Sequence, residues 1–155
     1  MIIRKAVKED LEDILVLFQM LFEYEIKKFN DKLNIDWPFT IEGRKEFLNQ
    51  IQNYIVFIAE VDSKIVGYLS GTVRRVNHLT ITRGRLESMY VMEEYRGINI
   101  GTMLIKEFER YCKLEGAKGI VVSALSENKK AIDFYKKNLF EDYSTVLKYD
   151  FKEAL

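Results

Sequence analysis

Apolar residues recur at two periods along this chain, and the switches between them mark out an order of elements. Ile2 and Ile3 open a short strand over Met1–Val7. Glu9, Asp10, Glu12 and Asp13 then load negative charge onto the favourable end of a helix. Its buried stripe is Ile14, Leu17, Phe18 and Leu21, widened by Leu15, Met20 and Phe22. Lys27–Phe39 loses the period and holds the only Pro and the only Trp, so it reads as a loop or helix break. Thr40 suits the N-cap of a helix carrying Phe47, Leu48 and Ile51. Tyr54–Val61 and Lys64–Val73 are β-rich runs joined by Asp62-Ser63, a hairpin signal, and the polar Arg74–Arg85 reads as a loop or strand end.

In the second half, Leu86–Val91 reads as a strand. Ile100, Leu104, Ile105, Phe108 and Cys112 follow at helical spacing through Glu115, with Gly116 as the stop. A strand at Gly119–Leu125, a helix at about Asn128–Lys137 and a closing strand at about Phe140–Phe151 complete the order. There are no repeats, low-complexity tracts or Pro/Gly/Ser linkers, so a single domain over 1–155 is expected. The class is α+β with a parallel crossover at Leu86–Leu125.

The sharpest chemical feature is EYRGINIG at 94–101, between a strand and an amphipathic helix. A small-residue turn entering a helix leaves several N–H groups unpaired and pointing one way. With the positive end of the helix dipole, these make an anion site suited to a pyrophosphate. Arg96 adds a fixed positive charge. The plainer reading, glycines that only shape a turn, stays open at this point.

Composition narrows the classes. Lys plus Arg and Asp plus Glu both count 24, which gives no sign of nucleic-acid binding. The single cysteine, Cys112, forbids an internal disulfide and sits on an apolar helix face, as a buried thiol rather than a nucleophile. His78 has no metal-ligating companions nearby, so no metal is expected. No apolar run reaches the ~18 residues that span a bilayer. The N-terminus mixes charges into its apolar residues, unlike a signal peptide. A cytoplasmic protein with no membrane partner is expected.

Four segments, in one order, resemble the GCN5-related N-acetyltransferase superfamily over nearly the whole chain. IIRKAVKEDLEDI is similar to its first strand and helix, and VFIAEVDSKIVGYLSG to its central hairpin. LESMYVMEEYRGINIGTMLI is similar to its acetyl-CoA motif, and SENKKAIDFYKKNLF to the segment that sets an Asn and a Tyr beside the cofactor. The resemblance implies an α/β/α fold with a mixed, mostly antiparallel sheet splayed between its fourth and fifth strands. Two departures stand out. Asn99 replaces the inner Gly of the phosphate loop, and Asn is the non-Gly residue that best tolerates φ > 0. The usual Asn-Gly-Phe before the last strand is Asn138-Leu139-Phe140, so Asn138 is expected to take the left-handed position.

The implied reaction is acetyl transfer from acetyl-CoA to a primary amine, on a small molecule or a peptide, by direct attack on the thioester. The resemblance assigns the pyrophosphate to Arg96, Gly97, Ile98, Asn99, Ile100, Gly101 and Thr102. It assigns the pantetheine arm and thioester carbonyl to the backbone of Met89, Tyr90 and Val91, with Asn128 as a further hydrogen bond. Tyr135 matches the family Tyr that protonates the departing thiolate; a core role is its rival. Glu87 is the candidate base, with pairing to Arg85 or Arg83 as its rival. Glu23, Tyr24, Glu25, Asp31, Asp36 and Trp37 interleave acids and aromatics where relatives wall the acceptor site, which suits a cationic amine; a solvated helix end explains the same residues. A non-catalytic acetyl-CoA-binding sensor is the alternative function. A homodimer follows family habit, though no residue demands one.

Overall fold

Charge and apolar period divide the first forty residues as expected. The computed structural model describes residues 1–153. Strand β1 (Ile2–Lys5) leads through a short 3-10 turn at Lys8–Asp10 into helix α1 (Leu11–Phe29), where Ile14, Leu15 and Leu17 are fully buried. Asp10 anchors this start: Arg4 donates to its carboxylate at 2.8 and 3.0 Å, and the Val7 N–H at 2.8 Å. After a 3-10 turn at Trp37–Phe39, Thr40 caps helix α2 (Ile41–Asn53), its hydroxyl accepting from the Gly43 N–H at 3.1 Å.

Strands β2 (Ile55–Val61) and β3 (Lys64–Val73) form the expected hairpin. Asp62 and Ser63 both take positive φ, 49° and 63°, the conformation of a two-residue turn that follows strand twist. Strand β4 (Arg83–Val91) starts three residues before the expected Leu86, so Arg83 and Arg85 belong to it. Helix α3 (Ile100–Leu114) buries Ile100, Leu104, Ile105, Phe108 and Cys112, the five positions its period marked. Strand β5 (Gly119–Val122) is shorter than expected, and helix α4 (Lys129–Lys137) follows.

The sheet order is β1-β2-β3-β4-β5, antiparallel except for the parallel β4–β5 pair. That pair runs only from Arg83–Gly119 to Leu86–Val122, so β4 continues alone to Val91. The sheet therefore splays between its fourth and fifth strands, as the resemblance implied. Tyr68 packs toward Phe18 of α1 on one face, and Phe108 of α3 fills the other. Burial of Cys112 beside Glu109 pushes its thiol up to about 12, which keeps it un-ionised and unreactive.

Two expectations need correction. The strand at about Phe140–Phe151 does not form: 141–153 is exposed, without regular secondary structure, and outside the sheet. Its residues have much of a strand's pattern, but pattern alone makes no ladder, and none of its backbone groups bonds to a strand among the described residues. The left-handed residue after α4 is Leu139 (φ 73°), whereas Asn138 keeps φ −96° and bonds back to the Phe134 carbonyl through its side chain at 2.9 Å.

Candidate active site

The splay exposes one side of the β4 backbone. The Met92 N–H bonds to the Val66 carbonyl on β3 at 2.9 Å. Backbone direction alternates along a strand, so Tyr90 also turns its N–H to β3, while Met89 and Val91 turn theirs into the gap. The Val91 carbonyl faces the same gap and accepts from Arg96 Nε at 2.9 Å. That bond ties Arg96 to the strand end, where its guanidinium lies 5.2 Å from the Tyr90 ring and 5.9 Å from the Tyr24 ring.

Beyond Arg96 the chain turns with two left-handed residues, Gly97 (φ 81°) and Asn99 (φ 68°). The space where a Gly97 Cβ would stand is empty to 4 Å. Asn99 adopts the conformation its Gly counterpart would, and becomes the N-cap of α3 with no side-chain cap bond. The first N–H in this stretch to reach a protein acceptor after Arg96 is that of Met103, on the Asn99 carbonyl. Gly97, Ile98, Asn99, Ile100, Gly101 and Thr102 thus present backbone N–H groups that have no acceptor among the described residues. Unpaired amides at a helix start are donors of the kind that can hold a diphosphate.

Helix α4 closes the other side. Gly101 lets it approach: a Cβ there would stand 2.8 Å from Phe134 and 3.1 Å from the Met89 side chain. Asn128 caps α4, its Oδ1 accepting from the Ala131 N–H at 3.1 Å, which leaves its amide NH2 free for a second partner. Tyr135 is held between Phe134 and Phe140, ring centroids 5.5 and 5.4 Å away. Burial, then the charge of Glu25, pushes the Tyr135 hydroxyl up to about 12. Glu25 itself, half-buried on α1 near Asp31, is raised by desolvation first and Asp31 second.

Glu87 owes its position to backbone register. Ser70 faces Ser88 and Gly71 faces Leu86, so Glu87 is the extra residue of a β-bulge. The bulge turns its carboxylate toward Thr72, whose hydroxyl donates to it at 3.5 Å, and toward Arg85 Nε at 3.5 Å. It lines an open cavity of about 240 Å³ with Glu46, Gln50, Tyr54, Thr72 and Arg74. On the same wall Gln50 donates through Nε2 to Glu46 at 3.3 Å, while its Oε1 is buried with no donor among the described residues. A second hollow of about 190 Å³ lies between the end of α1 and the start of α4, lined by Tyr24, Lys28, Phe29, Glu127 and Asn128.

The structure gathers Met89, Tyr90, Val91, Arg96, the loop amides and Tyr24 around the splay. Of the acid–aromatic run it brings in Tyr24, and Glu25 lies near enough to act on Tyr135, whereas Trp37 packs on Phe47 instead. Sequence reasoning missed the α2 wall of the cavity, Glu46 and Gln50 with Tyr54 just past the helix end, whose four-residue spacing was its only signal. Among the described residues, no group of three or more His, Cys, Asp or Glu could hold a metal ion, and no helix is long and apolar enough to cross a membrane.

The chain matches the profile of the Acetyltransferase (GNAT) family over residues 16–139. An uncharacterized N-acetyltransferase of Methanocaldococcus jannaschii is 27% identical over 146 residues, covering 93% of this chain; the chain spans only 62% of that protein. The thialysine N-epsilon-acetyltransferase of Bos taurus is 31% identical over 145 residues, covering 86% of this chain and 80% of its own. Among solved structures, the aminoglycoside N-acetyltransferase AAC(6')-Iy in complex with CoA superposes at TM-score 0.72 with 20% identity, over 97% of this chain and 99% of its own. That last likeness speaks for the fold. With the profile running from α1 to the end of α4, the chain belongs to the acetyltransferase (GNAT) family, whose relatives named here are N-acetyltransferases.

Proposed function

We propose that this protein transfers an acetyl group from acetyl-CoA to a primary amine of a small cationic molecule, by direct attack of the amine on the thioester, within one domain. The observation that carries the reading is the run of six acceptor-less amides at 97–102 beside the open edge of β4. Acetyl-CoA, when bound, supplies the activated acyl group. Everything else falls to the chain's own residues.

The loop amides and Arg96 bind the diphosphate. The N–H groups of Met89 and Val91 orient the pantetheine and oppose charge building on the thioester oxygen; backbone donors so aimed are worth ~2.7–4 kcal/mol each. Tyr135 Oη directs a hydrogen bond at the departing sulfur. On the acceptor side, the cavity beneath α2 carries the carboxylates of Glu46 and Glu87 for an ammonium group, with Arg74 in the lining and Arg85 beside Glu87. Removing the proton of a lysine-like amine at pH 7 costs roughly 4–5 kcal/mol. The Glu87 carboxylate, directed by its bulge into the cavity, is the acceptor for that proton, directly or through a water. The acceptors named for the relatives, thialysine and aminoglycosides, are consistent with an amine of this kind.

The test is to incubate the protein with acetyl-CoA and a panel of diamines, amino acids and aminoglycosides, reading free thiol. Turnover that rises with acceptor positive charge is expected. Acetyl-CoA binding without turnover across the panel would favour the sensor function instead.

A further inference from the structure

Tyr68 is fully buried against Phe18 of α1, yet it carries a hydroxyl whose one hydrogen-bond partner among the described residues is Ser88 Oγ. A Phe would fill the same space without the cost of burying an oxygen, so packing alone does not account for the phenol. Directly across the strands from Ser88 stands Ser70, 2% exposed, whose Oγ has no partner among the described residues. Three hydroxyls thus share one patch of a sheet face that packs against α1. Ser88 alone of the three is partly exposed.

The bulge at Glu87 decides what this patch borders. A Cβ on Gly71 would stand 2.4 Å from Phe108 of α3, so Gly71 and its partner Leu86 face α3. Ser70 and its partner Ser88 face α1 instead. Consecutive side chains of an unbroken strand take opposite faces. Glu87 nevertheless reaches Thr72 and lines the cavity with Glu46 and Gln50 of α2, so the extra residue keeps Glu87 and Ser88 on the same side. The next residue, Met89, sends its side chain the other way, 3.1 Å from where a Gly101 Cβ would stand, and turns its N–H into the gap. Three consecutive residues therefore offer a carboxylate, a hydroxyl and the N–H proposed for the thioester oxygen.

The charge of Glu25 acts on the Tyr68 hydroxyl and on that of Tyr135, which brings the end of α1 and the middle of α4 to this same patch. That charge turns the Tyr68 proton toward α1, so the phenol presents a lone pair to Ser88. Ser88 then spends its proton on Tyr68 and keeps its own lone pairs for an incoming donor. An amine entering between Glu87 and the gap brings such donors. Glu87, 3.5 Å from Arg85 Nε, engages one N–H and leaves the amine free to swing about it. Resting on the acetyl-transfer reading, we propose that the Ser88 hydroxyl accepts a second hydrogen bond from the attacking amine and fixes the direction of its lone pair toward the thioester, with Tyr68 as the positioning residue behind it.

Thiol-release kinetics and calorimetric acetyl-CoA binding test this, using an amine that the parent protein acetylates. Ser88→Ala should lower kcat about 10- to 100-fold, with the KM for the amine and the Kd for acetyl-CoA moving less than about threefold. Ser88→Thr keeps the hydroxyl and should recover most of the rate. Tyr68→Phe should lower kcat about 3- to 10-fold, and adding it to Ser88→Ala should cost nothing further, because Tyr68 acts only through Ser88. A Ser88→Ala variant as fast as the parent overturns the proposal. So does a Ser88→Thr variant no better than the Ala one, or a double variant slowed by the full product of the two single effects. If Tyr68→Phe fails to fold in a thermal melt, the Ala and Thr comparison at the partly exposed Ser88 still decides. A parent that binds acetyl-CoA and acetylates no amine overturns the acetyl-transfer reading and this role with it. A parent that turns over equally well with and without the Ser88 hydroxyl overturns this role alone.

Discussion

Replacing Tyr135 with Phe isolates one hydrogen bond at the proposed reaction centre. The ring contacts to Phe134 and Phe140 survive the change, and the hydroxyl donates to no protein acceptor among the described residues. Folding and acetyl-CoA affinity should therefore hold. The magnitude follows from acidity. Burial and Glu25 push the Tyr135 hydroxyl up to about 12. A free thiol lies near 8.5, so complete transfer of the phenolic proton to the departing sulfur is uphill by roughly 5 kcal/mol. What Tyr135 supplies is thus a hydrogen bond to a developing thiolate, worth about 1.5–3 kcal/mol. Tyr135→Phe should lower kcat by about 10- to 150-fold while the Kd for acetyl-CoA moves less than about twofold. A thiol-release assay with calorimetric binding measures both. With a hydroxyl raised this far, the unaltered protein should show no alkaline loss of kcat from Tyr135 below about pH 11. An unchanged kcat, or an equal loss in kcat and affinity, would refute the reasoning.

Leu139→Gly should stabilise the fold. The left-handed conformation costs a non-Gly residue about 1–2 kcal/mol, offset in part by the ~0.4–1 kcal/mol of chain entropy that Gly adds to the unfolded state. The Leu139 side chain is 94% exposed, so no packing is lost. Tm should rise by roughly 1–4 °C in a thermal melt, and a fall would contradict the assignment. Asn99→Gly should keep or tighten acetyl-CoA binding in calorimetry, since Gly takes φ 68° freely; a tenfold weakening would reveal a side-chain contact to the ligand. Asp10→Asn should destabilise by about 2 kcal/mol at pH 7, the pair being buried at Asp10 but partly solvated at Arg4. The Arg4 hydrogen bonds hold this carboxyl below its ordinary range. The stability it contributes is complete above the unfolded value near 4 and is lost as pH falls through the folded value. Denaturation curves of parent and variant should converge in acid; a gap that persists at low pH would disprove the linkage.

Much of the fold was legible because period and punctuation agree: the α3 stripe ends at a glycine, and the Asp62-Ser63 turn sits between two β-rich runs. What escaped involved relations between segments. The Glu87 bulge depends on how Ser70 and Gly71 register against β4, a one-residue offset that no single strand encodes. Leu139 is left-handed because Asn138 spends its side chain on the Phe134 carbonyl, which holds it right-handed and passes the turn to the next residue. From Tyr143 to Phe151 the chain alternates as a strand does, save at Val146, yet alternation suggests a conformation and names no partner.

The same distinction explains why Asn99 does not undo the resemblance. The donors proposed to hold acetyl-CoA, at 97–102 and at Met89 and Val91, are main-chain groups, oriented by φ and by strand direction rather than by side-chain identity. A substitution there matters only insofar as it changes the path of the backbone, and Asn99 keeps that path. The cavity proposed to take the amine is the opposite case. Its character rests on the side chains of Glu46, Gln50, Thr72 and Glu87, brought together from α2, β3 and β4. Sequence divergence at those four positions should therefore alter which amine is acetylated while leaving cofactor binding intact. Glu46→Lys should raise KM for a cationic acceptor at least about tenfold with the Kd for acetyl-CoA unchanged, because it reverses charge in the cavity and touches none of the cradle amides.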